Sequence, residues 1–147
     1  MFTNATSFNR PIRFWNTSSV TDMIGMFSGA TRFNQNLNGW DTSNVRDMIT
    51  MFSGATSFNN GSDCRMTTFW NGMWHQDNIL SWNFRSLHGT GSNYMFYGAT
   101  CFNADISSWN IQVDTTNSGG YAFRRNSGLE DHRTPWNIRN FAPSRGR

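Results

Sequence analysis

The sequence predicts an α/β repeat fold: a stack of about five coils, each a helical turn followed by a short parallel strand, with an irregular insert in the third unit. Three observations carry this expectation. The decapeptide MFSGATRFNQ at Met26 returns as MFSGATSFNN at Met51. The chain opens on another copy, MFTNATSFNR, and a fourth starts at Met95, so the shared core is M-F-x-x-A-T-x-F-N. A second marker, Trp followed by Asn or Asp, recurs at Trp15, Trp40, Trp82, Trp109 and Trp136. The first two intervals are both 25 residues, and seven residues separate the Phe of Phe-Asn from Trp in copies one, two and four. Units therefore start near residues 1, 26, 51 and 95 within a repeat region spanning 1–120. Residues 121–147 read as a degenerate last unit, beginning YAFRRNSGL, and a basic C-terminal tail.

Within a unit, the helical turn comes first. Val45, Met48, Met51, Phe52 and Ala55 follow i, i+3, i+6, i+7, i+10, close to one helical face, and Val20, Met23, Met26, Phe27 and Ala30 repeat the pattern. The DTSN segment ahead of Val45 offers N-cap side chains, and Gly54, like Gly29, sits where a C-cap glycine belongs. The strand follows. Phe33 and Leu37 fall on one side of an extended segment, as do Phe8 with Ile12 and Phe102 with Ile106. One unit alone cannot bury its apolar face, whereas stacked units place like residues on like. Asn9, Asn34, Asn59 and Asn103 then form an asparagine ladder, and Trp15, Trp40, Trp82 and Trp109 a tryptophan column, both structural.

The third unit departs from the pattern. From Phe58 to Trp82 it runs 24 residues, with an insert at about 61–78 that carries Cys64, Phe69, Trp70, Met73, Trp74 and His75. Insertions into repeat arrays emerge on one face, often the binding face, and exposed aromatics are what interfaces use. Phe69, Trp70, Met73, Trp74 and His75 are therefore candidate partner-binding residues, with Arg124 and Arg125 of the basic end. The competing reading folds these aromatics back to cap the core, since Trp70-Asn71 imitates the Trp-Asn marker.

Composition narrows the functional classes. Hydrophobic residues are 37%, but 13 Phe and 7 Trp make aromatics 16%, so the core is built from rings and Met. The net charge is +3 and every basic residue is Arg. Cys64 and Cys101 could pair, and their spacing matches no metal motif. His75, His88 and His132 are scattered, Glu130 is the single Glu, and no phosphate loop, nucleophile elbow or zinc motif occurs. No enzyme and no cofactor are expected. The aromatics and arginines form no nucleic-acid-binding pattern. No apolar run is long enough for a membrane span, and no signal peptide is visible.

The segment WDTSNVRDMITMFSGATSFNN resembles the 25–26-residue repeat of BspA-type leucine-rich-repeat surface proteins. The resemblance covers about Met1 to Asn60 and Met95 to Asn110 and weakens from Gly61 to Tyr94 and after Ile111. It implies a leucine-rich-repeat-like solenoid with Phe-Asn-x-x-Leu as strand. It also implies binding or adhesion at a cell surface, or in a secreted protein, without catalytic residues. Two functions follow: a non-catalytic protein–protein interaction module of surface or adhesion type, or a small structural subunit of a larger assembly (capsid or organellar membrane complex) held by the insert and the Arg-rich tail. Other protein chains are the expected partners, covering the insert, the tail or the N-terminal edge; because Met1 falls in mid-unit, either the protein extends further upstream or a partner covers that edge.

Overall fold

The computed structural model describes residues 1–64, 69–70, 73–74, 80–87, 91–109, 111, 123, 125 and 127–128. The destination of each backbone N–H decides what a repeat becomes. A helix would send each N–H to the carbonyl four residues back. Here the bonds close one residue sooner: Met26 donates to Met23, Ala30 to Phe27 and Phe33 to Ala30, each a β-turn joined corner to corner with the next. The N–H groups between those corners point sideways into the neighbouring unit. Met23, Gly25, Phe27 and Gly29 donate to the carbonyls of Asp47, Ile49, Met51 and Ser53 at 2.8, 2.9, 2.9 and 2.8 Å. At the next junction Met48, Thr50, Phe52 and Gly54 donate in the same way to Gly91, Asn93, Met95 and Tyr97. Phe96 and Gly98 then donate to Phe123 and Arg125.

The expected α/β architecture is therefore overturned, and with it the leucine-rich-repeat-like solenoid of five coils. No helix forms in residues 1–64, 80–87 or 91–109. The only strands among the described residues are β1 (Phe69–Trp70) and β2 (Met73–Trp74), an antiparallel ribbon inside the insert with Phe69 opposite Trp74. The sideways bonds between units build no strand, and the isolated parallel bridge they give joins Asp22 to Asp47. The reason is local. Apolar residues three apart mark the corners of successive turns as well as the face of a helix, so spacing alone does not separate the two. Backbone conformation does. Gly25, Thr50 and Tyr94 share one column with φ of 59, 54 and 57°, and Asn4, Gly29, Gly54 and Gly98 share another with φ of 58, 70, 70 and 71°. Two left-handed residues per unit stop helix propagation. Glycine supplies that conformation without steric cost, and Asn4 fills the same column because Asn tolerates it.

The segment expected as a strand fails to become one for a different reason. The N–H of Asn34 bonds to the side-chain Oδ1 of Asn9, not to a neighbouring carbonyl, at 2.8 Å. Asn59 N–H to Asn34 Oδ1 and Asn103 N–H to Asn59 Oδ1 repeat it, each at 2.8 Å. Side-chain amides thus replace the backbone ladder that a parallel sheet needs.

Aromatic columns hold the stack together. Phe2, Phe27, Phe52 and Phe96 lie over one another with centroids 5.6, 5.6 and 5.5 Å apart. Phe8, Phe33, Phe58 and Phe102 form a second column at 5.7, 5.8 and 5.6 Å. Within each unit the two rings stack at about 4 Å, for example Phe27 on Phe33 at 4.0 Å. Phe27, Phe33, Phe52, Phe58, Phe96 and Phe102 are fully buried. Each contributes roughly 1.5–3 kcal/mol by area removed from water, which is how a chain poor in aliphatics maintains a core.

Candidate functional site

The first unit leaves groups exposed that the second and third units cover among the described residues. Four sideways N–H···O=C bonds join the second unit to the third and four join the third to the fourth; between the first and second units Phe2 donates to Met26 and Asn4 to Ser28, at 2.8 and 2.7 Å. The carbonyls of Asp22 and Ile24, which hold the column of Asp47 and Ile49, receive no backbone donor among the described residues. The tryptophan column shows the same break. Trp40, Trp82 and Trp109 each donate the indole N–H to the preceding unit, to the carbonyls of Ile12 (3.0 Å), Leu37 (2.9 Å) and Leu80 (2.7 Å). Trp15 stacks on Trp40 at 6.4 Å, yet its indole N–H has no partner among the described residues.

Apolar surface gathers on that unit. Trp15 is 42% exposed where Trp40 is 4%, and Ile24 is 48% exposed. Met1, Trp15, Val20, Met23, Ile24 and Met26 line a cleft of about 510 Å³, with Thr17 and Asp22 among its polar edges. Phe14 stands beside it, 85% exposed, with the Arg13 guanidinium 4.8 Å from its ring centre. A site of this kind is suited to taking a polypeptide: apolar bodies for area, with carbonyls and an indole N–H to fix register.

Short turns locked by side chains position these groups. Asn16 Oδ1 accepts from the N–H (3.1 Å) and hydroxyl (2.6 Å) of Ser18, which holds the turn carrying Val20. Asp22 accepts from Ile24 N–H at 2.8 Å. Thr17 donates its hydroxyl to Asp41 O and Thr3 to Gly25 O, tying the rim to the layer beneath. The equivalent lock in the next unit is Asp41 with Ser43, whose hydroxyl and then N–H hold the Asp41 carboxyl below its ordinary value, with a smaller contribution from Arg85.

The residues singled out from the sequence fall in three places. Asn9, Asn34, Asn59 and Asn103 lie in one bonded column, where Asn34 also accepts from Gly61 N–H and donates to Ser62 O. Trp15, Trp40, Trp82 and Trp109 lie in another; Trp82 takes its place there although the insert separates it from Phe58. In the insert, Phe69, Trp70, Met73 and Trp74 form the β1–β2 ribbon, and His75 lies outside the described residues. Arg124 is also outside them, while Arg125 is exposed and accepts from Gly98 N–H through its carbonyl. Cys64 and Cys101 form a disulfide, Cα atoms 4.7 Å apart, which pins the start of the insert to the fourth unit.

Sequence reasoning missed Phe14, Ile24 and Leu80. Leu80 does the work of Ile12 and Leu37, and its distance from Trp82 matches theirs from Trp15 and Trp40 with one residue removed. Phe14 aligns with Gly39, a small residue facing the Arg13 carbonyl. A large ring in a column that elsewhere holds no apolar residue was the available signal.

No helix among the described residues is long and apolar enough to cross a membrane. A family model described as "Mycoplasma protein of unknown function, DUF285" matches residues 1–65 and again residues 63–145. No curated protein and no solved structure matches the chain.

Proposed function

Starting from the fact that the chain belongs to the DUF285 family, we propose that it is a non-catalytic protein–protein interaction module of the BspA-type repeat surface proteins. The observation that carries the reading is exposed apolar surface: Phe14, Trp15 and Ile24 are exposed, and Trp15 and Ile24 line a cleft of about 510 Å³. The repeat consensus around Trp40 to Asn60 supports the surface-protein class. The Cys64–Cys101 disulfide fits an oxidising compartment. The β1–β2 ribbon of the insert is a second contact element in this reading.

The chemistry of the described acids also favours binding over catalysis. Asp22, Asp41 and Asp105 accept hydrogen bonds from residues two positions on, which commits them to holding turns. No group of three or more metal-ligating side chains gathers among the described residues.

Site-specific photocross-linking tests the reading. A photoreactive residue at Ile24 should give a discrete protein adduct in cells that make the protein. The same residue at Asn44, exposed on the flank, should give none. Equal labelling at both positions, or none at either, would sink the proposal.

A further inference from the structure

We infer that Asn16 is an N-glycan acceptor whose first sugar packs on the exposed ring of Phe14. Asn-x-Ser/Thr, the pattern read by amide glycosylation, occurs at Asn4, Asn16 and Asn60, each with a phenylalanine two residues ahead. The structure separates the three. Asn60 is 2% exposed, its Oδ1 accepts from Leu37 N–H at 2.9 Å, and Phe58 ahead of it is fully buried. Asn4 lays its amide oxygen against Gly29, and Phe2 ahead of it stacks on Phe8 at 3.9 Å and on Phe27 at 5.6 Å. Asn16 is exposed, and Phe14 belongs to neither phenylalanine column. The equivalent positions of the second unit, Gly39 and Asp41, are also exposed although that unit has a neighbour on either side. This flank is therefore open in a stacked unit as well as in the first.

The turn leaves the reactive nitrogen free. Asn16 Oδ1 accepts the Ser18 hydroxyl at 2.6 Å and its N–H at 3.1 Å, while Nδ2 donates to no group among the described residues. A sugar on Nδ2 replaces one amide hydrogen and keeps both bonds to the oxygen. The donor class is an oligosaccharide joined through diphosphate to a lipid. Nδ2 attacks the anomeric carbon, and the C–N bond forms as the bond from that carbon to the diphosphate oxygen breaks. The lipid diphosphate leaves with the electron pair, and a base of the transferase takes the amide proton. Phe14 then gains a neighbour. It is 85% exposed, with the Arg13 guanidinium 4.8 Å from its centre. Two residues of backbone span at most about 7 Å, within reach of the first pyranose. The C–H face of that sugar covers the ring and takes apolar area out of water. The Cys64–Cys101 disulfide fits an oxidising, secretory compartment, where such transfer takes place. Asn16 lines the cleft and Phe14 does not, so a glycan turned onto Phe14 leaves Met23 and Ile24 to a protein partner.

The test uses the full chain isolated from the cells that make it. Peptide-N-glycosidase in heavy-oxygen water turns a glycosylated Asn into isotope-labelled Asp, which peptide mass spectrometry locates. The label should fall on Asn16 and not on Asn60; an unlabelled Asn16, or a labelled Asn60, overturns the inference. Packing on Phe14 is read from melting at neutral pH after the glycan is trimmed to its first sugar. This form should melt about 2–4 °C above the fully deglycosylated one, whose Asp at position 16 keeps the turn as Asp41 does. In Phe14→Ala that difference should vanish. No difference in the unsubstituted chain, or an equal one in Phe14→Ala, overturns the packing. Ser18→Thr keeps the acceptor pattern and should keep the glycan, whereas Asn16→Asp should lose it with the turn intact. The interaction-module reading is judged separately, by the adduct through position 24.

Discussion

The first and second units share their columns, yet they live in different environments, and the contrast separates what makes the fold from what is left for binding. Phe27 and Phe52 have a ring above and below; Phe2 has Phe27 on one side only and stays half-buried. Trp40 and Trp15 hold the same column, but one closes a hydrogen bond and is buried while the other is exposed. Stability in such a stack comes from neighbour interfaces. The columns with a ring on both sides therefore carry most of that stability.

Substitution of paired columns measures that contrast, and the largest effect belongs to the rings. Phe52→Ala removes a fully buried side chain stacked on Phe27, Phe58 and Phe96, and should cost about 3–5 kcal/mol by urea unfolding. Phe2→Ala should cost less than half as much. Equal costs would mean that the edge unit is as tightly built as the interior.

The asparagine column comes next. Asn34→Ala strips acceptors from the N–H groups of Asn59 and Gly61 and removes the donor to Ser62 O. With Asn59 buried, the loss should be about 1–3 kcal/mol. Asn9→Ala touches the N–H of Asn34 and the Gln35 amide, in a more exposed setting, and should fall at or below the lower bound. Thermal unfolding of the two variants decides between a continuous ladder and independent caps.

These columns also show how far the structure could be read from the residues. The 25-residue register, the Phe, Trp and Asn columns and the break at Phe58 are all written as identical residues in identical places, because stacking demands like on like. What could not be read was the path between columns. Val20, Met23 and Met26 mark a helix face or the corners of linked turns equally well. Only the left-handed conformations at Gly25 and Gly29 and their counterparts decide, and the counterparts Asn4, Thr50 and Tyr94 are not glycines. Which way the N–H groups point between the columns is likewise encoded by no residue spacing. Cys64 and Cys101 were visible as a pair that could bond; their approach follows from the fourth unit stacking directly on the third.

A smaller effect separates the tryptophans. Trp40→Phe keeps most of the stacking ring and removes the bond to Ile12 O, for a loss of about 0.5–1.5 kcal/mol from that bond, plus the missing ring area. Trp15→Phe removes an N–H that has no acceptor among the described residues and should leave stability nearly unchanged. The ranking should reverse for binding: Trp15→Phe weakens the adduct through position 24, and Trp40→Phe does not. A Trp15→Phe variant that unfolds as readily as Trp40→Phe would show that the edge is already closed from within.

The smallest difference is electrostatic and concerns the turn locks. Asn16 at the edge and Asp41 in the interior hold the same turn with nearly the same bonds, 2.6 Å to the serine hydroxyl in both. Only Asp41 can titrate. Its carboxyl is held below the ordinary 3.8, mainly by the hydroxyl and N–H of Ser43. A carboxyl that binds its proton less readily folded than unfolded stabilises the fold at pH above its unfolded value. That contribution falls away as pH drops through 3.8 and is gone below the folded value. Asp41 is solvent-exposed, so the effect is a modest decline in melting temperature on the acid side. Asp41→Asn, which copies Asn16, should flatten that part of the profile while preserving the turn at neutral pH. Asn16→Asp should introduce an acid-side decline at the edge, which locates the sensitivity in the lock rather than in the layer that carries it. If Asp41→Asn leaves the acid-side profile unchanged, the decline originates in another carboxylate and the Asp41 lock does not carry it.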